Sequence, residues 1–90
     1  MTHAPNVPKM NTLFRLQFEK AQGCFVLLYP EGMVKLNDSA AEILQQIDGL
    51  TSVDEIQHQL QQKFPQAGDI RDDIEEFLAT AQAKRWISYV

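Results

Sequence analysis

Apolar and polar residues alternate near the start of the chain, and an unbroken apolar run follows. Phe14, Leu16 and Phe18 alternate with polar neighbours, which predicts a strand with one buried face. The apolar run from Cys24 to Tyr29 predicts a second strand that is covered on both faces, or nearly so. Two neighbouring strands are therefore expected in the first third of the chain.

A tight turn and a very short strand come next. Pro30 has its φ already set for the first central position of a turn, and Gly32 accepts a positive φ without a steric penalty. Residues 30–32 therefore predict a hairpin loop, and residues 33–36 a third strand. A strand this short is expected at the edge of the sheet, with unpaired backbone groups.

Two helices are predicted after the strands. Asn37 is a favourable N-cap for the first, with Ser39 and Glu42 as an alternative capping box. Ser52 and Glu55 form a capping box for the second helix. Apolar residues recur every three or four positions, as in helices with one buried face: Ala40, Ile43, Leu44 and Ile47, then Val53, Ile56, Leu60 and Phe64.

A third helix and an apolar tail complete the pattern. Gly49 is placed to end the first helix, while Pro65 and Gly68 break the chain after the second. Asp69 can cap the third helix, and residues 86–90 are expected to pack back or to add a terminal strand. The third helix has its apolar stripe at Ile70, Ile74, Phe77, Leu78 and Ala81.

The predicted fold class is α+β, with an N-terminal three-stranded antiparallel meander followed by three helices. Residues 1–12 contain two prolines and no periodicity, so we expect a flexible N-terminal arm. Residues 13–90 are then a single domain. Its last two helices resemble a helix-turn-helix, which makes the architecture winged-helix-like.

The charge pattern argues against a nucleic-acid partner. The chain has a net charge of -4, and the third helix presents Arg71 followed by four acids within five residues. A recognition helix needs cations or amides at such positions, because it lies against phosphates. A small winged-helix-like DNA-binding or regulatory protein is therefore the alternative rather than the favoured interpretation.

The sequence contains no set of residues that predicts catalysis or metal binding. His3, His58 and Cys24 are widely spaced and match no zinc pattern, and no glycine-rich phosphate loop is present. The acids of the third helix are expected to form a solvated face rather than a paired-acid active site. We therefore expect a protein that is not an enzyme and that holds no cofactor or metal.

The sequence predicts a cytoplasmic protein. No apolar run approaches the ~20 residues of a membrane span, and the N-terminus lacks the pattern of a signal peptide. The single cysteine suits a reducing compartment.

An exposed strand edge beside an amphipathic helix favours β-augmentation, in which an extended peptide adds a strand to the sheet. The alternative is that the edge is short only to prevent unwanted strand pairing.

Several segments of the sequence together resemble one known family. They are Leu27-Leu28-Tyr29-Pro30-Glu31-Gly32, Val34-Lys35-Leu36-Asn37, Ile43-Leu44, Asp48-Gly49, Val53-Asp54-Glu55-Ile56, Leu60, Phe64, Asp73-Ile74, Phe77-Leu78 and Trp86-Ile87. This set resembles the PqqD family of pyrroloquinoline quinone (PQQ) biosynthesis and covers residues 13–87. The helix patterns are shared with the wider class of recognition domains for RiPP (ribosomally synthesised and post-translationally modified peptide) precursors.

The resemblance implies a peptide chaperone that binds the precursor peptide PqqA. It also implies a partner, the radical SAM enzyme PqqE, which crosslinks a Glu and a Tyr of that peptide. In related domains the peptide adds to the third strand, in a groove walled by the third helix. Carried over to this chain, the peptide-binding residues are Met33, Val34, Lys35, Leu36, Arg71, Glu75, Leu78, Ala79 and Gln82.

Side-chain directions within the third strand can be assigned from its alternation. Val34 and Leu36 are assigned to the core, and Met33 and Lys35 to the opposite face. The register, and with it the direction of the Lys35 amide, stays open. So does the choice between a monomer and a homodimer that exchanges N-terminal strands. Arg85 stands where the family often has glycine.

Overall fold

The computed structural model describes residues 7–89 and confirms the predicted α+β fold. The strands are β1 (Pro8–Met10), β2 (Arg15–Glu19), β3 (Cys24–Tyr29), β4 (Gly32–Lys35) and β5 (Ile87–Tyr89). The helices are α1 (Asp38–Gln45), α2 (Val53–Lys63) and α3 (Arg71–Ala83), with a 3-10 turn at Pro65–Ala67 before α3. β2, β3 and β4 form an antiparallel three-stranded sheet in that order.

The two ends of the chain form a second, two-stranded sheet. β1 pairs antiparallel with β5, with Lys9 opposite Ser88, and the Asn11 amide extends the ladder by donating to the Trp86 carbonyl at 2.8 Å. The expected terminal strand is therefore confirmed. The expected flexible arm is wrong for residues 8–10, because they pair with a strand at the far end of the sequence. Residues 1–6 of that arm lie outside the described residues.

The helices cover one face of the three-stranded sheet. Leu27, at the centre of β3, is fully buried on this face, where Leu16 and Val34 flank it on the neighbouring strands. The predicted side-chain directions in β4 are confirmed, since Leu36 is 7% exposed and Met33 is 44% exposed. The helices contribute most of the remaining core: Ala40, Ala41, Ile43, Leu44, Val53, Ile56, Leu60, Ile74, Leu78 and Ala81. Val26 of β3, Ile47 after α1 and Ile87 of β5 are buried as well.

The first helix begins where the sequence predicted but ends earlier. The Asn37 side chain accepts a hydrogen bond from the Ala40 amide at 2.8 Å, which makes Asn37 the N-cap. The helix stops at Gln45, before Gly49. In the following loop the Asp48 carboxylate accepts hydrogen bonds from two backbone amides, and these bonds lower the pKa of Asp48.

The ends of α2 combine one confirmed and one wrong prediction. The capping box is present, with the Glu55 amide and the Ser52 hydroxyl 3.2 Å apart. Phe64 was expected on the buried stripe but is 41% exposed. It is the C-cap of α2, where the backbone leaves the helical conformation and carries the ring away from the core. Asp69 accepts a hydrogen bond from the Arg71 amide at 3.0 Å, one residue before the cap position of α3.

Arg85 connects α3 to β5 in an unusual conformation. Its φ is 65°, which makes it the single non-glycine residue with a positive φ in the described part of the chain. Asn11 donates a side-chain hydrogen bond to the Arg85 carbonyl at 2.8 Å. Glycine adopts this conformation without a Cβ clash, so Arg85 carries a steric cost that glycine would not.

Candidate functional site

The outer edge of β4 directs backbone N–H and C=O groups away from the sheet. The Leu36 amide donates to the Phe25 carbonyl of β3 at 3.0 Å, so Leu36 faces β3. In an antiparallel ladder, successive residues point alternately toward the partner strand and away from it. Met33 and Lys35 therefore direct their N–H and C=O groups outward. This register answers the question that the sequence left open, namely where the Lys35 amide points.

The side chains of this edge divide between two faces. Met33 and Lys35 are exposed on the sheet face opposite the helices, whereas Val34 is half-buried and Leu36 buried on the helical side. A chain that paired with β4 would lie in the plane of the sheet. Its own side chains would then alternate between the Met33–Lys35 face and the helical side.

One residue of the predicted α3 wall lies in the core. Leu78 is 1% exposed, so its assignment as a peptide contact is wrong. It belongs to the apolar stripe of α3, which packs inward. Glu75, Ala79 and Gln82 are exposed, as a peptide-contacting surface requires.

Arg71 links α3 to α2. Its guanidinium donates to Asp54 at 2.6 Å and to Gln57 at 2.8 Å on α2, and to Glu75 at 2.7 Å one turn further along α3. Two of these hydrogen bonds raise the pKa of Arg71, and the bond to Asp54 has a larger effect than the bond to Glu75. This side chain therefore fixes the start of α3 against α2, and its charge is already paired.

Glu75 and Gln82 of α3 lie close to the sheet formed by the chain ends. The Glu75 charge acts on Tyr89 of β5, whose pKa is raised by burial and, to a lesser extent, by Glu75. Gln82 lines a shallow cleft together with Lys9 and Asn11. Within residues 7–89 no hydrogen bond or ion pair joins α3 to β4, so a groove shared by the two elements stays a prediction.

A cavity of about 530 Å³ was missed by the sequence analysis. It lies among the β2–β3 hairpin, α1, the end of α2 and the start of α3, and no residue of β4 lines it. No sequence pattern indicated it, because the apolar periodicity placed Phe18 and Phe64 in the core. The large apolar side chains around the cavity are Phe18, Phe25, Ile43, Leu60, Phe64, Ile70 and Ile74.

Comparison with known proteins decides the family. The family model described as coenzyme PQQ synthesis protein D (PqqD) matches residues 24–87. The chain belongs to the PqqD family. The PqqA binding protein of Rahnella aquatilis is 49% identical to this PqqD-family chain over 82 residues, covering 91% of this chain and 86% of that protein. The PqqA binding protein of Pseudomonas aeruginosa is 54% identical, with 91% and 89% covered.

A solved structure shows the same fold in another PqqD protein. It is the solution NMR structure of the PqqD truncation of Methylobacterium extorquens PqqCD, described as a functional, stand-alone RiPP recognition element. The similarity has a TM-score of 0.75 at 31% identity and covers 98% of this chain and 95% of that chain. The PqqD family match includes β4 and all three helices, whereas β1 and β2 precede it.

The described part of this PqqD-family chain has neither a metal-binding cluster nor a membrane-spanning helix. Residues 7–89 contain no group of three or more His, Cys, Asp or Glu side chains placed to hold a metal ion. No helix among them has the length and apolar character needed to cross a membrane.

Proposed function

We propose that this protein is a cytoplasmic peptide chaperone in PQQ biosynthesis and not an enzyme. It binds the precursor peptide PqqA by β-augmentation at β4 and presents it to the radical SAM enzyme PqqE. The observation that carries the proposal is the outward direction of the backbone groups of Met33 and Lys35. The names of the relatives as PqqA binding proteins, and the recognition-element structure, support it.

The open edge alone gives only part of the expected affinity. Two outward residues offer two donors and two acceptors, and each backbone hydrogen bond contributes roughly 1 kcal/mol net. Micromolar binding needs about 8 kcal/mol, so side-chain contacts must supply the remainder. We place these contacts at Met33, Val34 and Lys35 on β4, and on the exposed α3 residues Glu75, Ala79 and Gln82, whereas the buried Leu36 side chain supports the edge from within.

The docking edge can be tested by comparing two substitutions at Lys35. Lys35→Pro removes the outward donor but leaves the β3–β4 ladder intact, because the Lys35 amide points away from β3. Lys35→Ala keeps the donor and removes only the charge. We expect Lys35→Pro to abolish binding of a synthetic PqqA peptide in calorimetry, and Lys35→Ala to weaken it by about tenfold at most, roughly 1.4 kcal/mol.

The Lys35→Pro variant must be shown to be folded by circular dichroism before its binding is interpreted. Normal PqqA binding by a folded Lys35→Pro protein would falsify docking at β4. The outer edge of β2 would then be the next candidate, since Leu16 and Phe18 point their backbone groups outward there by the same alternation.

The presentation step and the non-enzymatic role need separate measurements. PqqE should crosslink PqqA faster when the purified chain is added in stoichiometric amount, while the chain alone should leave the peptide unchanged. An equal crosslinking rate with and without the chain would contradict presentation. Product formation by the chain alone would contradict the non-enzymatic assignment.

A further inference from the structure

A protein that presents a peptide to an enzyme needs two surfaces that do not overlap. The peptide occupies the β4 edge in the proposed function, on which the present inference rests. We propose that the cavity among the β2–β3 hairpin, α1, α2 and α3 is the docking site for the maturation enzyme PqqE. Its occupant is a segment of the enzyme in which a bulky apolar side chain is flanked by a basic residue.

The apolar character of the cavity is the reason for proposing a bulky apolar side chain in the partner. Phe18 is 51% exposed and Phe64 is 41% exposed, and these two exposed phenylalanines of the described chain both stand at the cavity. The Phe18 ring packs edge-on against Phe25, with the ring centroids 5.2 Å apart. Exposed aromatic rings around a concave apolar surface are typical of sites that bury an anchor side chain of a partner.

The charges around the cavity are the reason for proposing a basic residue beside that apolar side chain. Asp38, Glu42 and Asp73 supply three carboxylates to its lining, and no lysine or arginine lines it. Lys63 reaches the rim from α2, where its ammonium contacts Glu42 at 2.8 Å and lies 5.6 Å from the centroid of the Phe64 ring. A cation is thus already accommodated between an acid and an aromatic ring at this rim, which makes a basic residue the complementary group in a partner.

The position of the cavity suits presentation of a peptide. Asp38 and Ser39 line the cavity at the start of α1, and only Leu36 and Asn37 separate them from the end of β4, so the cavity begins close to the end of the docking edge. None of the four β4 residues takes part in the lining. A peptide paired with β4 would therefore pass beside the bound enzyme without competing for its site.

The test compares cavity variants with matched controls elsewhere on the surface. Phe64→Ser removes an exposed ring at the cavity, and Leu50→Ser removes an apolar side chain that is 84% exposed outside it. Asp73→Lys reverses a charge in the lining, and Asp72→Lys reverses the neighbouring exposed charge outside it. Binding of purified PqqE and of synthetic PqqA is measured separately for each variant by calorimetry, after a thermal melt confirms folding.

We expect Phe64→Ser and Asp73→Lys each to weaken PqqE binding at least tenfold while PqqA binding changes less than twofold. Leu50→Ser and Asp72→Lys should leave both within twofold, and Phe64→Leu should restore most of the PqqE affinity. Native PqqE binding by both cavity variants would overturn the proposal, as would loss of PqqA binding instead, which would make the cavity a peptide subsite.

Two further outcomes separate this inference from the proposed function. If the unmodified chain fails to bind PqqE with or without PqqA, presentation itself fails, and the cavity has no assigned occupant. If the chain self-associates in sedimentation experiments and Phe64→Ser abolishes that association, the cavity binds a second copy of the chain rather than the enzyme. Either result would overturn the assignment of PqqE to the cavity.

Discussion

The outer strands of the two sheets differ in what they offer to another chain. On β4, both outward residues carry a donor and an acceptor. On β1, the Asn11 amide faces β5, so by alternation Lys9 faces β5 and Pro8 and Met10 face outward. Pro8 has no N–H, and proline on an edge is a common protection against unwanted strand pairing. The proposed docking edge on β4 therefore offers two outward N–H donors, from Met33 and Lys35, whereas β1 offers one, from Met10.

The largest expected effect concerns the sheet that supports the β4 edge. Leu27 is fully buried at its centre, so Leu27→Ala leaves a cavity and should lower the free energy of unfolding by about 2–5 kcal/mol. Urea denaturation followed by circular dichroism measures this change. A loss below about 1 kcal/mol would mean that the site relaxes around the missing side chain, which contradicts close packing of this sheet.

The next effect tests the direction of the β4 backbone groups. Val34 faces β3 opposite Leu27, so Val34→Pro breaks the ladder and leaves a buried Leu27 carbonyl unsatisfied, a loss of about 1–3 kcal/mol. Lys35→Pro spares the ladder and should unfold at nearly the native urea concentration. Equal destabilisation by the two prolines would show that the assignment of outward groups is wrong.

A smaller effect on stability is expected from removing β1, the edge strand that contains Pro8. Deletion of residues 1–10 removes β1 and the paired hydrogen bonds between Lys9 and Ser88, at about 1 kcal/mol each, so roughly 2 kcal/mol of stability should be lost. PqqA binding in calorimetry should stay within twofold of the native chain. A large loss of PqqA affinity in the folded, shortened protein would move the docking surface to the sheet at the chain ends.

The smallest effect appears only at alkaline pH. Burial, aided by Glu75, raises the pKa of Tyr89 on β5 from its ordinary value of 10.0. The folded state therefore favours the neutral phenol. The stability that this preference contributes is fully present below pH 10 and is lost as the pH rises through the pKa of Tyr89 in the folded state. Tyr89→Phe should flatten the fall in urea stability between about pH 9 and 11, and an unchanged slope would contradict this.

The sequence predicted the three-stranded sheet because its signals are local. Tight turns join the strands, and alternation alone assigned Val34 to the core and Met33 to the other face. The pairing of Lys9 with Ser88 has no such signal, because three-residue strands at opposite ends of the chain show no periodicity. Only the register of β4 against β3 could reveal where the Lys35 amide points.

The α3 half of the candidate site was predicted less well, for a different reason. Its residues came from a family resemblance and not from the pattern of this chain. Leu78 was carried over as a contact although the same pattern also placed it on the buried stripe, and the structure follows the pattern. The cavity escaped prediction because helical periodicity cannot show that α2 ends at Phe64 and turns the ring outward.

For protein engineering, Arg85 is the first position to change. A left-handed conformation costs a residue with a Cβ atom roughly 1 kcal/mol, and Arg85 adopts it at φ 65°. Glycine would remove that strain, although part of the gain is offset by the greater freedom of the unfolded chain. Arg85 follows α3 and is not a residue of β4, so a more heat-tolerant variant can be sought there without changing the sequence of the proposed peptide edge.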